Sequence, residues 1–373
     1  MSVETQARPA PRGPARAPQA RSTSAPWWGA LRDRRFLPVA GTLLTLILIL
    51  GVGQARYSTG SRDFVSMKLF SNLLIDNSYL LVLAVGMTFV ILTGGIDLSV
   101  GAVVALVGLV VAKLLIMGVP VGVAIVVGVL VGAAFGLLIG VMVRYFDIQP
   151  FIASLAAMFL ARGLCNVVSV NSLPIKDEGF AALASWKLRF GSGKEAWSVN
   201  LSMLVALAVL VLGFVLLHHT RFGRTVYGLG AGDGGAAVDL MGLRGGAAKV
   251  WVYVVSGTCA GIAGILFALY TKSGFNLTGI GMELDAIAAV VIGGALLTGG
   301  GGFVLGSAAG VLVYGLIQVL IAREGLDSWW TKVFIGVVLL AFVLLQRVMT
   351  ARRVPRKARS GPGREPLEKL GVT

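Results

Sequence analysis

Asp97 is a lone acid in VGMTFVILTGGIDLSVGAVVALVG (residues 85–108), two residues past the Thr93-Gly94-Gly95 junction of two apolar runs. Each run approaches the roughly 20 residues an α-helix needs to cross about 30 Å of hydrocarbon. The carboxylate therefore stands at a helix break within or beside a membrane, where an ionisable side chain marks a functional site by default. A second role is open to it. At a helix start after Gly94 and Gly95, a carboxylate meets free N–H groups and the positive end of the helix dipole. The two roles can coexist. Arg162 lies well inside a later apolar run. A mid-helix arginine costs roughly 2.5–3.5 kcal/mol, so it must face a polar interior or pair with an acid, and Asp97 is one candidate.

The remaining polar groups in apolar surroundings are few. Glu283 and Asp285 open another run, either as simple first-turn acids or as pathway groups. Asp76 and Asn77, early in the second run, are placed to line an outer vestibule. The expected substrate pathway is thus Asp97, Gly94, Gly95, Arg162, Asp76, Asn77, Glu283 and Asp285. Hydrogen-bonding groups without a strong fixed charge suit an uncharged polyol, and equally an amino acid or water. Lys113 is expected to snorkel to an interface, and Trp329 and Trp330 to form an aromatic belt.

These residues are carried on a chain that is 56% hydrophobic and 13% charged over 373 positions. Such a composition predicts an all-α, polytopic transmembrane helical bundle. Apolar runs near 37–53, 71–92, 96–116, 120–143, 151–170, 200–217, 250–270, 284–298, 302–322 and 329–347 suggest about ten spans. The run at 284–298 is short and can also be read as a half-helix or re-entrant segment. The net charge of +15 sits largely in the tails, with seven Arg in residues 1–36 and five Arg and two Lys in 349–373. That distribution predicts cytoplasmic N- and C-termini rather than nucleic-acid binding. Residues 1–36 and 349–373 read as basic tails, the first of them disordered, around a transmembrane core at 37–348.

Glycine spacing adds a packing signal. Gly128, Gly132, Gly136 and Gly140 stack on one helix face, and Gly257/Gly261 and Gly306/Gly310 repeat the spacing. Thr-Gly-Gly recurs at 93–95 and 298–300, and paired interruptions of this kind can flank a transport site. Two nucleotide motifs fail. Gly191-Ser192-Gly193-Lys194 lacks the hydroxyl that must follow the lysine of a P-loop, because Glu195 stands there. Gly230-Ala231-Gly232-Asp233-Gly234-Gly235 matches a dinucleotide fingerprint, but no βαβ unit fits between two spans there. The two cysteines and two adjacent histidines form no metal-ligand spacing. No catalytic set, metal or bound cofactor is expected, so the reading is not an enzyme and any energy source must lie on a partner.

GMTFVILTGGIDLSVG (86–101) and ELDAIAAVVIGGALLTGGGGFVLGSAAGVLVYGLIQ (283–318) closely resemble two signatures of the ribose-type, monosaccharide permeases of bacterial ABC importers. RFGRTVYGLGAGDGGAAVDLMGLRGGAAKVWVYVVSG (221–257) resembles their cytoplasmic segment, and the likeness covers about residues 67–348. The segments IDNSYLLVLAVGMTFVILTGGIDLSVG (75–101), NSLPI (171–175) and LDSWWTK…LLQR (326–347) are most similar to permease subunits of galactofuranose importers. Gly232-Asp233-Gly234-Gly235 departs from the family, in which a turn containing asparagine is usual. The resemblance implies an inner-membrane protein paired with a second permease chain, alike or different. It also implies cytoplasmic ABC ATPase subunits that carry the ATP, and an extracytoplasmic sugar-binding protein. It places the ATPase-coupling surface in the loop at about 218–249, on Arg221, Arg224, Gly230, Gly232, Ala236, Ala237, Gly242 and Arg244.

Overall fold

A computed structural model describes residues 37–58, 63–231, 238, 240–327 and 329–351. Gly232, Ala236 and Ala237 lie outside the described residues, as do nearly all of both tails. Pro38 onward forms one packed unit. Its long helices are α1 (Leu37–Tyr57), a bent pair α2 (Met67–Asp76) and α3 (Ser78–Leu92), α4 (Val100–Ile116), α5 (Val121–Tyr145) and α6 (Pro150–Val168). After a short helix α7 (Glu178–Ser185) come α8 (Leu201–His219), α9 (Arg221–Leu229), α10 (Gly245–Thr271), α11 (Met282–Ile292), α12 (Val304–Arg323) and α13 (Trp329–Ala351).

All ten apolar runs carry helix. Among the described residues, seven helices are long and apolar enough to cross a membrane, or eight when the α2–α3 pair, bent by 66° at Asn77, counts as one span. The two other runs are shorter. α4 has 17 residues, and α11 has 11, about 16 Å of rise and half a hydrocarbon core. The 284–298 run is therefore a half-helix.

Uniformly apolar helices sit innermost, as expected for a helix with no polar stripe. Every residue of α3 except Tyr79 is buried, and α4 and α10 pack beside it. The glycine stripe of α5 meets α10. A methyl added at Gly132 or Gly136 would overlap the carbonyls of Gly257 or Tyr253, so the two backbones touch. Without hydrophobic drive between helices in lipid, contact of this kind supplies the packing energy.

The chain between α10 and α11 does not cross. α10 is 27 residues long, about 40 Å, and ends at Lys272 in a left-handed conformation (φ 53°). Ser273–Gly274 then pairs antiparallel with Leu173–Pro174. From there residues 275–281 run back along α4. A Cβ on Gly274 would come within 2.6 Å of the Gly108 carbonyl, and one on Gly279 within 2.6 Å of the Gly101 carbonyl. The connection between α6 and α8 holds α7 and a hairpin of Lys187–Phe190 with Trp197–Asn200. Gly191-Ser192-Gly193-Lys194 is part of that hairpin's turn, which accounts for its glycines.

Both ends of the helical core lie together. Thr42 near the start of α1 donates to the Ile292 carbonyl, and Gln346 near the end of α13 donates to Ala295 O (3.2 Å). The glycine turn after α9 lies against this same region.

Candidate functional site

The first break is a tie rather than an open carboxylate. Thr93 and Gly94 close the last turn of α3 through hydrogen bonds to Val90 and Ile91 carbonyls, and Gly94 takes φ 77°. Asp97 is fully buried. Its Oδ1 accepts from Ser99 N (3.0 Å) and Ser99 Oγ (2.7 Å), and its Oδ2 accepts from Ser256 Oγ on α10 (2.8 Å). Ser154 on α6 donates to Ile96 O (3.2 Å). The bend is thereby pinned to two other helices, and the carboxylate meets the main-chain N–H of Ser99, the residue just before α4.

Arg162 has a different partner from the one weighed in sequence. Its Nη1 donates to the carbonyls of Asn276 (2.9 Å) and Thr278 (2.7 Å) in the stretch between α10 and α11. Irregular backbone at membrane depth needs its polar groups satisfied, and an arginine fork can hold two carbonyls at once. Beside it, Asn276 Nδ2 donates to Asn166 Oδ1 (2.6 Å). Glu283 Oε1 accepts from Gly281 N (3.2 Å), and its other oxygen is buried without a partner among the described residues. Asp285 pairs with Lys332 of α13 (2.5 Å), fastening the half-helix to the last span. Asp76 is exposed, while Asn77 is buried at the α2–α3 bend with Nδ2 on Leu73 O (3.0 Å). Asn77 borders a cavity of about 230 Å³ that also touches Leu73, Leu81, Leu207 and Val311.

The two Thr-Gly-Gly breaks converge. Gly300 N donates to Leu92 O (2.8 Å), and a Cβ on Gly299 would stand 2.9 Å from Gly94 N. Gly230, which ends α9, fits between them: a side chain there would overlap Leu92 O and Gly300 N. Tyr227 Oη donates to Gly302 O (2.7 Å), and Phe222 stacks on Phe89 of α3 at 6.0 Å. Thr225 and Val226 are buried, while Arg221 and Arg224 are exposed on the opposite side of α9. Beyond it, Leu240 (90% exposed) and Met241 form an apolar tip, with Gly242 and Arg244 also exposed.

A family described as "Branched-chain amino acid transport system / permease component" matches residues 69–343. The chain belongs to this permease family. Among curated proteins it is 41% identical to the fructose import permease protein FruG of Bifidobacterium longum, over 89% of this chain and 97% of that one. It is 43% identical to the inner membrane ABC transporter permease protein YjfF of Escherichia coli K12, over 85% and 94%. It is 36% identical to the ribose import permease protein RbsC of the same strain, over 82% and 92%. No solved structure matches. The relatives place the chain with sugar ABC importer permeases, which are multi-pass inner-membrane subunits and not enzymes.

Within this permease, the residues expected to line a pathway fall into separate clusters. Asp97, Gly94 and Gly95 share the first break; Arg162 and Glu283 lie at the segment before α11; Asp285 bonds α13; Asp76 and Asn77 sit apart at the α2 bend. Of the residues expected to couple, Gly230 touches both breaks, and Arg221, Arg224 and Arg244 are exposed. Ser256, Ser154, Asn166, Asn276 and Tyr227 escaped the sequence reading. A hydroxyl or amide inside an apolar run was their only signal, and it is a weak one.

Proposed function

We propose that this protein is the permease subunit of an ABC importer and forms the translocation path for a monosaccharide. Alternating access is driven by partner ATPase subunits, which carry the ATP; this chain binds no cofactor of its own. The observation that supports the reading is the position of α9. It presents Arg221 and Arg224 outward and lodges Gly230 against both breaks. A push on the cationic face therefore reaches Gly94 and Gly299 through backbone contact, so ATP binding can change which permease conformation is favoured.

The partners in this reading are two cytoplasmic ATPase subunits, a second permease chain and an extracytoplasmic sugar-binding protein. Both tails and the 218–249 loop face the cytoplasm. Among sugars, galactofuranose is favoured by the likeness of segments 75–101, 171–175 and 326–347. The relatives are named for fructose, ribose and galactose, so the cargo is best sought among pentoses and hexoses.

The test is uptake by proteoliposomes holding the permease with its second permease chain, partner ATPase and binding protein. ATP-dependent uptake of labelled monosaccharide, competed by galactofuranose and not by leucine, is expected. Competition by leucine would favour the amino-acid reading that the family description carries. Uptake driven by an ion gradient with no ATPase present would overturn the coupling. Deleting 228–242 should leave the protein in the membrane but separate ATP hydrolysis from uptake.

A further inference from the structure

The stretch between α10 and α11 is irregular backbone at mid-depth. Measured along α4, the contact of Gly279 with Gly101 lies fifteen residues from the helix's end at Ile116, about 22 Å. α11 then needs its 11 residues to reach the end where the two breaks meet. Yet this stretch is not enclosed. Leu277 is 58% exposed and Ile280 66%, and their N–H groups have no partner among the described residues. On the adjoining side of α6, Asn166 is exposed and joined to Asn276.

Lipid cannot accept this surface. An unsatisfied backbone group costs several kcal/mol in hydrocarbon, so non-helical backbone at that depth is found only inside protein or against water. The other exposed faces differ. Leu130 on α5 and Val337 on α13 project from unbroken helices whose backbone bonds close internally, as a lipid-facing surface requires. We propose that the face made by residues 275–281 and the Asn166 side of α6 is a wall of the water-filled sugar path, and that the exposed Asn166 amide, braced by Asn276, meets the sugar's hydroxyls. This rests on the transport reading above and assigns that path a surface. Arg162 stands behind the wall and holds the Asn276 and Thr278 carbonyls, so the backbone keeps its irregular course while its outer edge stays wet.

Single cysteines test it in the whole transporter, reconstituted with its ATPase and binding protein. Asn166→Cys, Leu277→Cys and Ile280→Cys are compared with Leu130→Cys and Val337→Cys; the native Cys165 and Cys259 are buried. The probe is a charged, membrane-impermeant methanethiosulfonate; the cysteine thiolate, a form that water supports and lipid does not, attacks its sulfenyl sulfur and displaces methanesulfinate to leave a mixed disulfide. Labelling at the three path positions is expected to be about tenfold faster than at the two controls, and slower when sugar-loaded binding protein is present. Rates at all three equal to those at Leu130→Cys overturn the proposal, because a dry protein contact or lipid then covers the face. Uptake is measured on the parent protein separately. Its absence would defeat the transport reading, while the labelling rates alone decide whether this face is wet.

Discussion

At the scale of single residues, burial turned an acid expected near cargo into an anchor. Asp97 receives three hydrogen bonds from Ser99 and Ser256, so Asp97→Ala would strand buried donors, including a main-chain N–H. Leaving such groups unsatisfied costs about 1–3 kcal/mol, and losing one hydrogen bond costs about 1. Asp97→Ala should therefore destabilise the detergent-purified permease by ~2 kcal/mol or more, and Ser256→Ala by roughly half of that. Thermal unfolding measures both, and an unchanged midpoint for Asp97→Ala would contradict the tie. A second residue-scale effect lies at the opposite end of the core. Glu324 follows α12 and receives Arg56 (2.6 Å) and the Tyr57 hydroxyl, and these bonds hold its carboxyl down to about 2. A depressed carboxylate stabilises the fold above its unfolded value and loses that contribution as pH falls through its folded value. The stability difference between wild type and Glu324→Gln should be constant near neutrality and vanish between about pH 4.3 and about 2. Because the pair is exposed, the difference should be small, and weaker still in high salt.

At the scale of elements, apolar runs identify helices but not whether each one crosses. The 284–298 run shares its composition with true spans, yet Gly279 and Gly281 (φ 69° and 81°) let the chain re-enter before α11 begins. The glycine spacing on α5 was informative, since a four-residue repeat stacks on one face whatever lies opposite. Its partner face on α10 was not visible, because spacing carries no address. Gly136→Leu should be damaging: its side chain would displace the α10 backbone at Tyr253, and overpacking typically costs 1–3 kcal/mol or more. Gly336→Ala in α13 meets nothing within 4 Å and should be neutral or slightly stabilising, as alanine is the better helix former. Folded yield and melting temperature of the two variants compare them directly; equal losses would mean that α5 and α10 do not touch in the membrane.

At the scale of the whole molecule, both termini of the core and the α9 turn share one end, while the Lys187–Asn200 hairpin lies across α8, 19 residues or about 28 Å away. Impermeant maleimide applied to sealed vesicles should label Met241→Cys from one face and Lys187→Cys only from the other. Labelling of both from a single face would break the topology on which the coupling reading stands. The junction of α9 with Thr93–Gly95 and Thr298–Gly302 belongs to this scale too. Its three segments are remote in the chain and meet only through the fold.

The sequence by itself determined that the chain is an apolar helical bundle and where its helices are interrupted. Those properties are set by local composition and by the 3.6-residue period, so neighbours in the chain suffice to express them. Only the tertiary structure decided which polar groups meet. Arg162 bonds carbonyls at 276 and 278 instead of Asp97, and Ser256 holds a carboxylate at position 97. A buried hydrogen bond depends on two surfaces arriving within about 3 Å in the right orientation, and that arrival is a product of packing.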